Sequence, residues 1–149
     1  METLHQCVCQ LLNQSGLFIG TKSAAADLSQ LRDARIAHIV NVGGGVCHFE
    51  DEVKYLKMGV EDKTDETLEL KESTTWIHEA LERQEPVLVH CMGCFSRSPA
   101  IAIAYLIRFR RLSFDQALQI VKLQRSCAIP NKGFEKQLRS FEAAISRRK

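Results

Sequence analysis

The chain has 149 residues, 45% hydrophobic and 26% charged, with a formal net charge of +2. That length supports a single core and no second domain, and a charge so near neutral gives no case for nucleic acid or a membrane surface as a partner. No stretch approaches the ~18 consecutive apolar residues of a membrane span, and Met1-Glu2-Thr3-Leu4-His5 lacks the basic start and apolar run of a secretory signal, so a cytoplasmic compartment is expected, with the nucleus also open.

In chain order, Leu4, Val8, Leu11 and Leu12 recur at helical spacing and predict a short amphipathic helix within an N-terminal extension of residues 1–15. Leu17 to Gly20 reads as a strand, and Ala24 to Leu31 as a helix with Ser23 as N-cap. Ile36 to Val42 is a strand with little polar interruption, the pattern of one covered on both faces. Gly43-Gly44-Gly45 stops it, marking a backbone that is mobile or closely approached. Lys54 to Val60 is a third strand candidate that delivers Glu61-Asp62 to its end, and a helix is expected from Glu66 to Arg83 with Leu70, Thr74, Ile77 and Leu81 inward.

The most informative stretch runs from Pro86 to Ile107. Val87, Leu88 and Val89 form a short buried strand, and Pro99 opens a helix that is apolar on every face. The turn between them, Cys91 to Arg97, aims backbone N–H groups and a helix start at one point, which suits an anion and most naturally a phosphate. Cys91 lies at the edge of that positive field, where a thiolate is favoured, and Arg97 offers a planar fork for two phosphate oxygens. The bare spacing Cys-x-x-x-x-x-Arg is weak. A preceding strand, His90 beside the cysteine, Ser96 and Ser98 around the arginine, and Pro99 in the first helical turn together make it strong.

Beyond this stretch, Ser113-Phe114-Asp115-Gln116 has the form of a capping box opening another helix, and Pro130-Asn131 breaks the chain before a last helix from Phe134 to Ser146. Strands alternating with helices imply an α/β domain with a mostly parallel central sheet flanked by helices. The six cysteines are expected as free thiols, because no second cysteine pair or histidine pair completes a zinc set. Cys91-x-x-Cys94 also has the spacing of a redox pair, but the following arginine and helix suit phosphate better. No feature of the sequence bears on oligomeric state.

His-Cys-x-x-x-x-Ser-Arg-Ser-Pro followed by an apolar helix resembles the signature of the dual-specificity branch of the cysteine-dependent protein tyrosine phosphatases. Gly16 to Gly20, Ile36 to Val42, Val60-Glu61-Asp62, and Ile129 to Phe134 with Gln137 and Leu138 resemble the same family in the same order. The resemblance implies a sheet with the phosphate loop at its centre and hydrolysis of phosphotyrosine or phosphoserine/threonine in a phosphoprotein, without metal or cofactor. By the same resemblance Cys91 is the nucleophile. Arg97 and the backbone of Met92, Gly93, Cys94, Phe95 and Ser96 form the phosphate cradle. Asp62 is the general acid, chosen over the nearby Glu61 and Asp65. Ser98 stabilises the departing thiolate. From its place beside the cysteine, His90 is expected to hold Cys91 and to depress its pKa.

One departure stands inside the motif. The family usually has glycine three residues after the cysteine, where this chain has Cys94, with Gly93 one position early. If that position requires a positive φ, Cys94 strains the loop, and the alternative reading is a phosphate-binding or scaffolding module with impaired turnover. Cys94 or Cys47 is then also a candidate to trap oxidised Cys91 as a disulfide. Met92 and Phe95 occupy places where phosphoinositide-specific relatives tend to carry lysines, which favours a phosphoprotein substrate.

Overall fold

The computed structural model describes residues 8–11, 16–93 and 95–148. Five strands, β1 (Val8–Leu11), β2 (Leu17–Gly20), β3 (His38–Asn41), β4 (Lys54–Lys57) and β5 (Val87–His90), form one sheet in the order β1-β2-β5-β3-β4. The pairs β2–β5, β5–β3 and β3–β4 are parallel, and β1 runs antiparallel along the edge. The helices among the described residues are α1 (Lys22–Ala25), α2 (Leu28–Asp33), α3 (Leu70–Glu82), α4 (Arg97–Arg110), α5 (Phe114–Gln124) and α6 (Lys132–Ser146). None is long and apolar enough to cross a membrane.

Strand β5 shows why the sheet has helices on both faces. All four of its residues are buried, with Val87 and Val89 turned into the cluster around α4, and Leu88 into a second cluster with Ala25, Leu31, Ile36, Ile39 and Val53. Two-residue alternation with apolar side chains at every position needs a cover on each side. Helix α4 is the largest single contributor to the first cluster, and Ser98 through Ile107 are all buried. Around it lie Ile77 of α3, Phe114 and Val121 of α5, and Phe134 and Leu138 of α6.

Several sequence expectations change. Helix α3 starts at Leu70 rather than at Glu66, and Thr21 rather than Ser23 is the N-cap of α1. Residues 8–11 form a strand rather than part of a helix, pairing Val8 to Leu11 against Gly20 to Leu17. A short isolated helix is marginal in water, whereas the open edge of β2 offers a row of unpaired backbone groups. Residues 1–7 and 12–15, where the rest of that expectation falls, lie outside the described residues. The expected helix from Ala24 to Leu31 is two helices. Thr21 caps the first by accepting from the Ala24 N–H, and Asp27 restarts the second by accepting from the Gln30 N–H. Strand β4 stops at Lys57 rather than Val60, because Gly59 takes φ +64° and leaves extended geometry. The capping box at Ser113 is present in full, each partner bonding the other's backbone N–H.

Ile103, fully buried in α4, sets the first expected outcome. Ile103→Ala lowers unfolding free energy by ~2–5 kcal/mol in urea titration, while Leu123→Ala, at a side chain 82% exposed, stays within about 0.5 kcal/mol.

Candidate active site

The parallel strands end together, and β5 lies between β2 and β3 with His90 beside both Gly20 and Asn41. The loop that follows β5 therefore leaves the middle of the sheet at the carboxyl end of its strands, where α/β folds collect ligands. Its last residue, Arg97, begins α4.

The loop's carbonyls are tied to donors outside it. The Lys22 N–H donates to the Met92 carbonyl at 3.0 Å, the Arg125 guanidinium to the Gly93 carbonyl at 2.9 Å, and the Ile129 N–H to the Phe95 carbonyl at 2.6 Å. In a trans peptide the C=O and the next N–H point opposite ways. Pulling these carbonyls outward turns the following N–H groups, those of Gly93 and Ser96 among them, into the concavity. No backbone carbonyl among the described residues accepts from the N–H groups of Met92, Gly93, Phe95, Ser96 or Arg97. The result is a nest of donors at a helix start, suited to a tetrahedral oxyanion.

Cys91 sits at the base of this nest, 3% exposed. Its Sγ lies 3.2 Å from the Ser98 Oγ and accepts from the Ser98 N–H at 3.4 Å. The Ser98 hydroxyl and N–H are thus both within reach of the sulfur. Arg97 crosses to the neighbouring loop, where its Nη1 donates to the Val60 carbonyl at 3.0 Å. A carbonyl orients the guanidinium without neutralising it, so the positive charge remains for an anion. The backbone of Gly43 fits against this arrangement: a Cβ there would lie 3.0 Å from Arg97 Nη1 and 3.5 Å from Cys91 Cα. The first glycine of the Gly43-Gly44-Gly45 run is thus a close-approach position, which settles the choice its sequence left open.

Asp62 lies on the loop after Val60 and accepts from the Asn131 Nδ2 at 2.9 Å. The Asn131 N–H donates to the Ser96 Oγ, also at 2.9 Å. One residue therefore links the Asp62 carboxyl to the phosphate loop. Glu61 is a poorer proton donor, because the Lys63 ammonium at 2.7 Å, with a smaller contribution from Arg97, holds its carboxyl below the ordinary carboxylate range.

Within the loop, Gly93 has a packing reason: a Cβ there would overlap the Phe95 ring, which folds back over it. Cys94, and with it the expectations of strain and of a disulfide at that position, lies outside the described residues. The Cys47 Sγ accepts from the Asn41 Nδ2 at 3.5 Å. The side chains of Met92 and Phe95 are 55% and 52% exposed and form part of the rim. Sequence reasoning gave no role to Lys22 or Arg125. The Arg125 guanidinium also lies over the Phe95 ring, 5.7 Å from its centroid, and no local pattern signals a contact made across 32 residues.

Residues 17–144 match the family described as dual specificity phosphatase, catalytic domain. Human dual specificity protein phosphatase 22 is 39% identical over 129 residues, which is 85% of this chain and 70% of that protein. The crystal structure of a mouse putative dual specificity phosphatase complexed with zinc tungstate aligns with a TM-score of 0.91 and 32% identity, covering 99% of this chain and 94% of that one. Human DUSP28 aligns with a TM-score of 0.88 and 32% identity over 93% of this chain and 95% of its own.

His90 is buried, and its Nδ1–H donates to the Cys91 carbonyl at 3.3 Å. Burial pushes its pKa below the ordinary 6.5, with the charges of His48 and Lys22 adding to the shift. The ring is neutral at neutral pH and meets Cys91 through this hydrogen bond, so it carries no positive charge with which to depress the thiol's pKa, contrary to the sequence expectation. A depressed histidine pKa means that the unfolded chain binds more protons, so stability is full above pH ~6.5 and falls as pH drops below it. Urea midpoints measured from about pH 7.5 to 5.5 should show that decline, and His90→Asn should flatten it.

Proposed function

Because the chain belongs to the dual specificity phosphatase family, we propose that Cys91, Arg97, Asp62 and Ser98 divide between them the hydrolysis of phosphate monoesters on a phosphoprotein. The protein is a protein phosphatase, and a cysteinyl-phosphate intermediate is the general mechanism of its family. The contact of the Cys91 Sγ with both the N–H and the Oγ of Ser98, at the base of a nest of N–H groups, carries the residue assignment.

A phosphate monoester is doubly anionic and repels an anionic nucleophile unless its surroundings neutralise the charge. Arg97 and the backbone N–H groups of residues 92–97 take the equatorial oxygens. The Cys91 thiolate attacks phosphorus, forming an S–P bond as the P–O bond to the side-chain oxygen breaks. That oxygen takes the proton of Asp62 and leaves as the free alcohol or phenol. In the second step Asp62, now a carboxylate, takes a proton from the water whose oxygen attacks phosphorus. The S–P bond breaks, phosphate departs, and Ser98 stabilises the thiolate that returns. Neither step calls for a metal ion or a cofactor.

The mouse relative's complex with tungstate, a tetrahedral oxyanion of phosphate's shape, supports the cradle reading. The apolar Met92 and Phe95 at the rim offer no further anion site, which supports a phosphorylated side chain of a protein over a polyphosphorylated lipid headgroup. A thiolate nucleophile must stay reduced, which supports a cytoplasmic or nuclear working compartment.

Cys91→Ser should abolish hydrolysis of an aryl phosphate while tungstate binding, followed by calorimetry, survives; retained turnover would falsify the nucleophile assignment. Asp62→Ala should lower kcat/KM, which reports transfer to Cys91, by ~10²–10⁴ for a substrate with a poor leaving group and much less for a good one. Equal losses on both substrates would move the acid elsewhere.

A further inference from the structure

The first turns of α6 touch the loop that carries Asp62 at several separate points. The Asn131 Nδ2 donates to the Asp62 Oδ1. The Gln137 amide grips the backbone further along, its Nε2 donating to the Glu66 carbonyl at 2.8 Å and its Oε1 accepting from the Leu68 N–H at 2.9 Å. Between these two contacts Gly133 lies flat against the backbone of Thr64, and a Cβ there would overlap the Thr64 carbonyl. The same turn reaches the phosphate loop through the Asn131 N–H and the Ser96 Oγ.

The orientation of the Asn131 amide is decided by the helix. Its Oδ1 accepts from the Phe134 N–H at 2.9 Å and so caps α6. With the oxygen committed to the cap, only the NH₂ is left to face Asp62. That NH₂ can only donate, so the Asp62 Oδ1 must accept, and a proton on the carboxyl group must reside on Oδ2. A helix cap thereby selects which oxygen of the acid is the donor.

We propose that Asn131, Gly133 and Gln137 form a clamp that sets the general acid against the phosphate cradle, with Asn131 as the positioning residue that leaves Oδ2 of Asp62 to deliver the proton. The inference rests on the assignment of Asp62 as the acid made above. Asn131 touches no reacting atom and acts through Asp62. Gly133 acts through the path of the chain, because any side chain there pushes Thr64 and its loop outward. A displacement of ~1 Å of a catalytic group can cost as much as ~10²-fold, so small changes in the clamp should appear in the chemical step.

The test compares a phosphothreonine peptide, whose alkoxide leaves poorly, with an aryl phosphate bearing a strongly electron-withdrawing substituent. Asn131→Ser and Asn131→Asp both keep an oxygen able to cap α6 and both take away the amide NH₂ that reaches Asp62, the serine hydroxyl being one bond shorter. Each is expected to lower kcat/KM on the peptide by about tenfold or more, with kcat/KM on the activated aryl phosphate within about threefold and melting temperature and tungstate affinity nearly unchanged. Gly133→Ala should give the same split. Asp62→Asn, measured alongside, separates the two readings. If it loses kcat/KM equally on both substrates, the acid is elsewhere and the underlying assignment fails. If it shows the leaving-group split but Asn131→Ser, Asn131→Asp and Gly133→Ala do not, Asp62 is the acid and the clamp is overturned. A large fall in melting temperature with equal losses on both substrates would assign Asn131 to capping alone and also overturn the clamp.

Discussion

The site depends on where the carbonyls of the loop after β5 are sent. A short loop of peptide units presents as many acceptors as donors, and left to itself it has no reason to be positive on one side. Lys22, Arg125 and Ile129 draw carbonyls of that loop away from its concave side, and the peptide planes carry the N–H groups the other way. Each bond is worth only about 0.5–1.5 kcal/mol in net stability. Their catalytic value is larger, because dipoles fixed in advance need no reorganisation when charge moves from the phosphoryl oxygen to the leaving group.

Helix α4 holds this arrangement at the centre of the molecule. It is buried on every face from Ser98 to Ile107, so its first turn cannot shift without disturbing the contacts of α3, α5 and α6. Ser98 belongs to that turn and touches the Cys91 sulfur directly. Cys91 is thus positioned from both sides, by the central strand before it and by the most buried helix after it. Asp62 arrives by a different route. Its loop is irregular from Gly59 onward, and its placement is borrowed from α6, which belongs to the same core through Phe134 and Leu138.

What was legible in the sequence follows the reach of the interactions involved. Strand β2, strand β5 and the capping box at Ser113 are revealed by the residue types within each segment. The strand at Val8–Leu11 was misread because its pairing partner, rather than its own spacing, decides its conformation. The split between α1 and α2 turns on one side chain, Asp27, which reads equally well as a helix-surface residue. The tether from Arg125 to Gly93 and the bonds from Gln137 to Glu66 and Leu68 cross 32, 71 and 69 residues. Gly133 and Gly43 look alike in sequence to glycines of ordinary turns, yet each marks a place where two stretches of backbone, or a backbone and Arg97, come into contact.

The central claim is that the phosphoryl group passes through the sulfur of Cys91. Mixing Asp62→Ala enzyme with an activated aryl phosphate and quenching in acid within the first turnover should trap the intermediate, because loss of the carboxylate slows hydrolysis of the S–P bond more than its formation from so good a leaving group. Peptide mapping by mass spectrometry is then expected to find a phosphoryl adduct on Cys91. An adduct on His90 or a serine, or sustained turnover with no enzyme-bound phosphate at any time after mixing, would contradict the account.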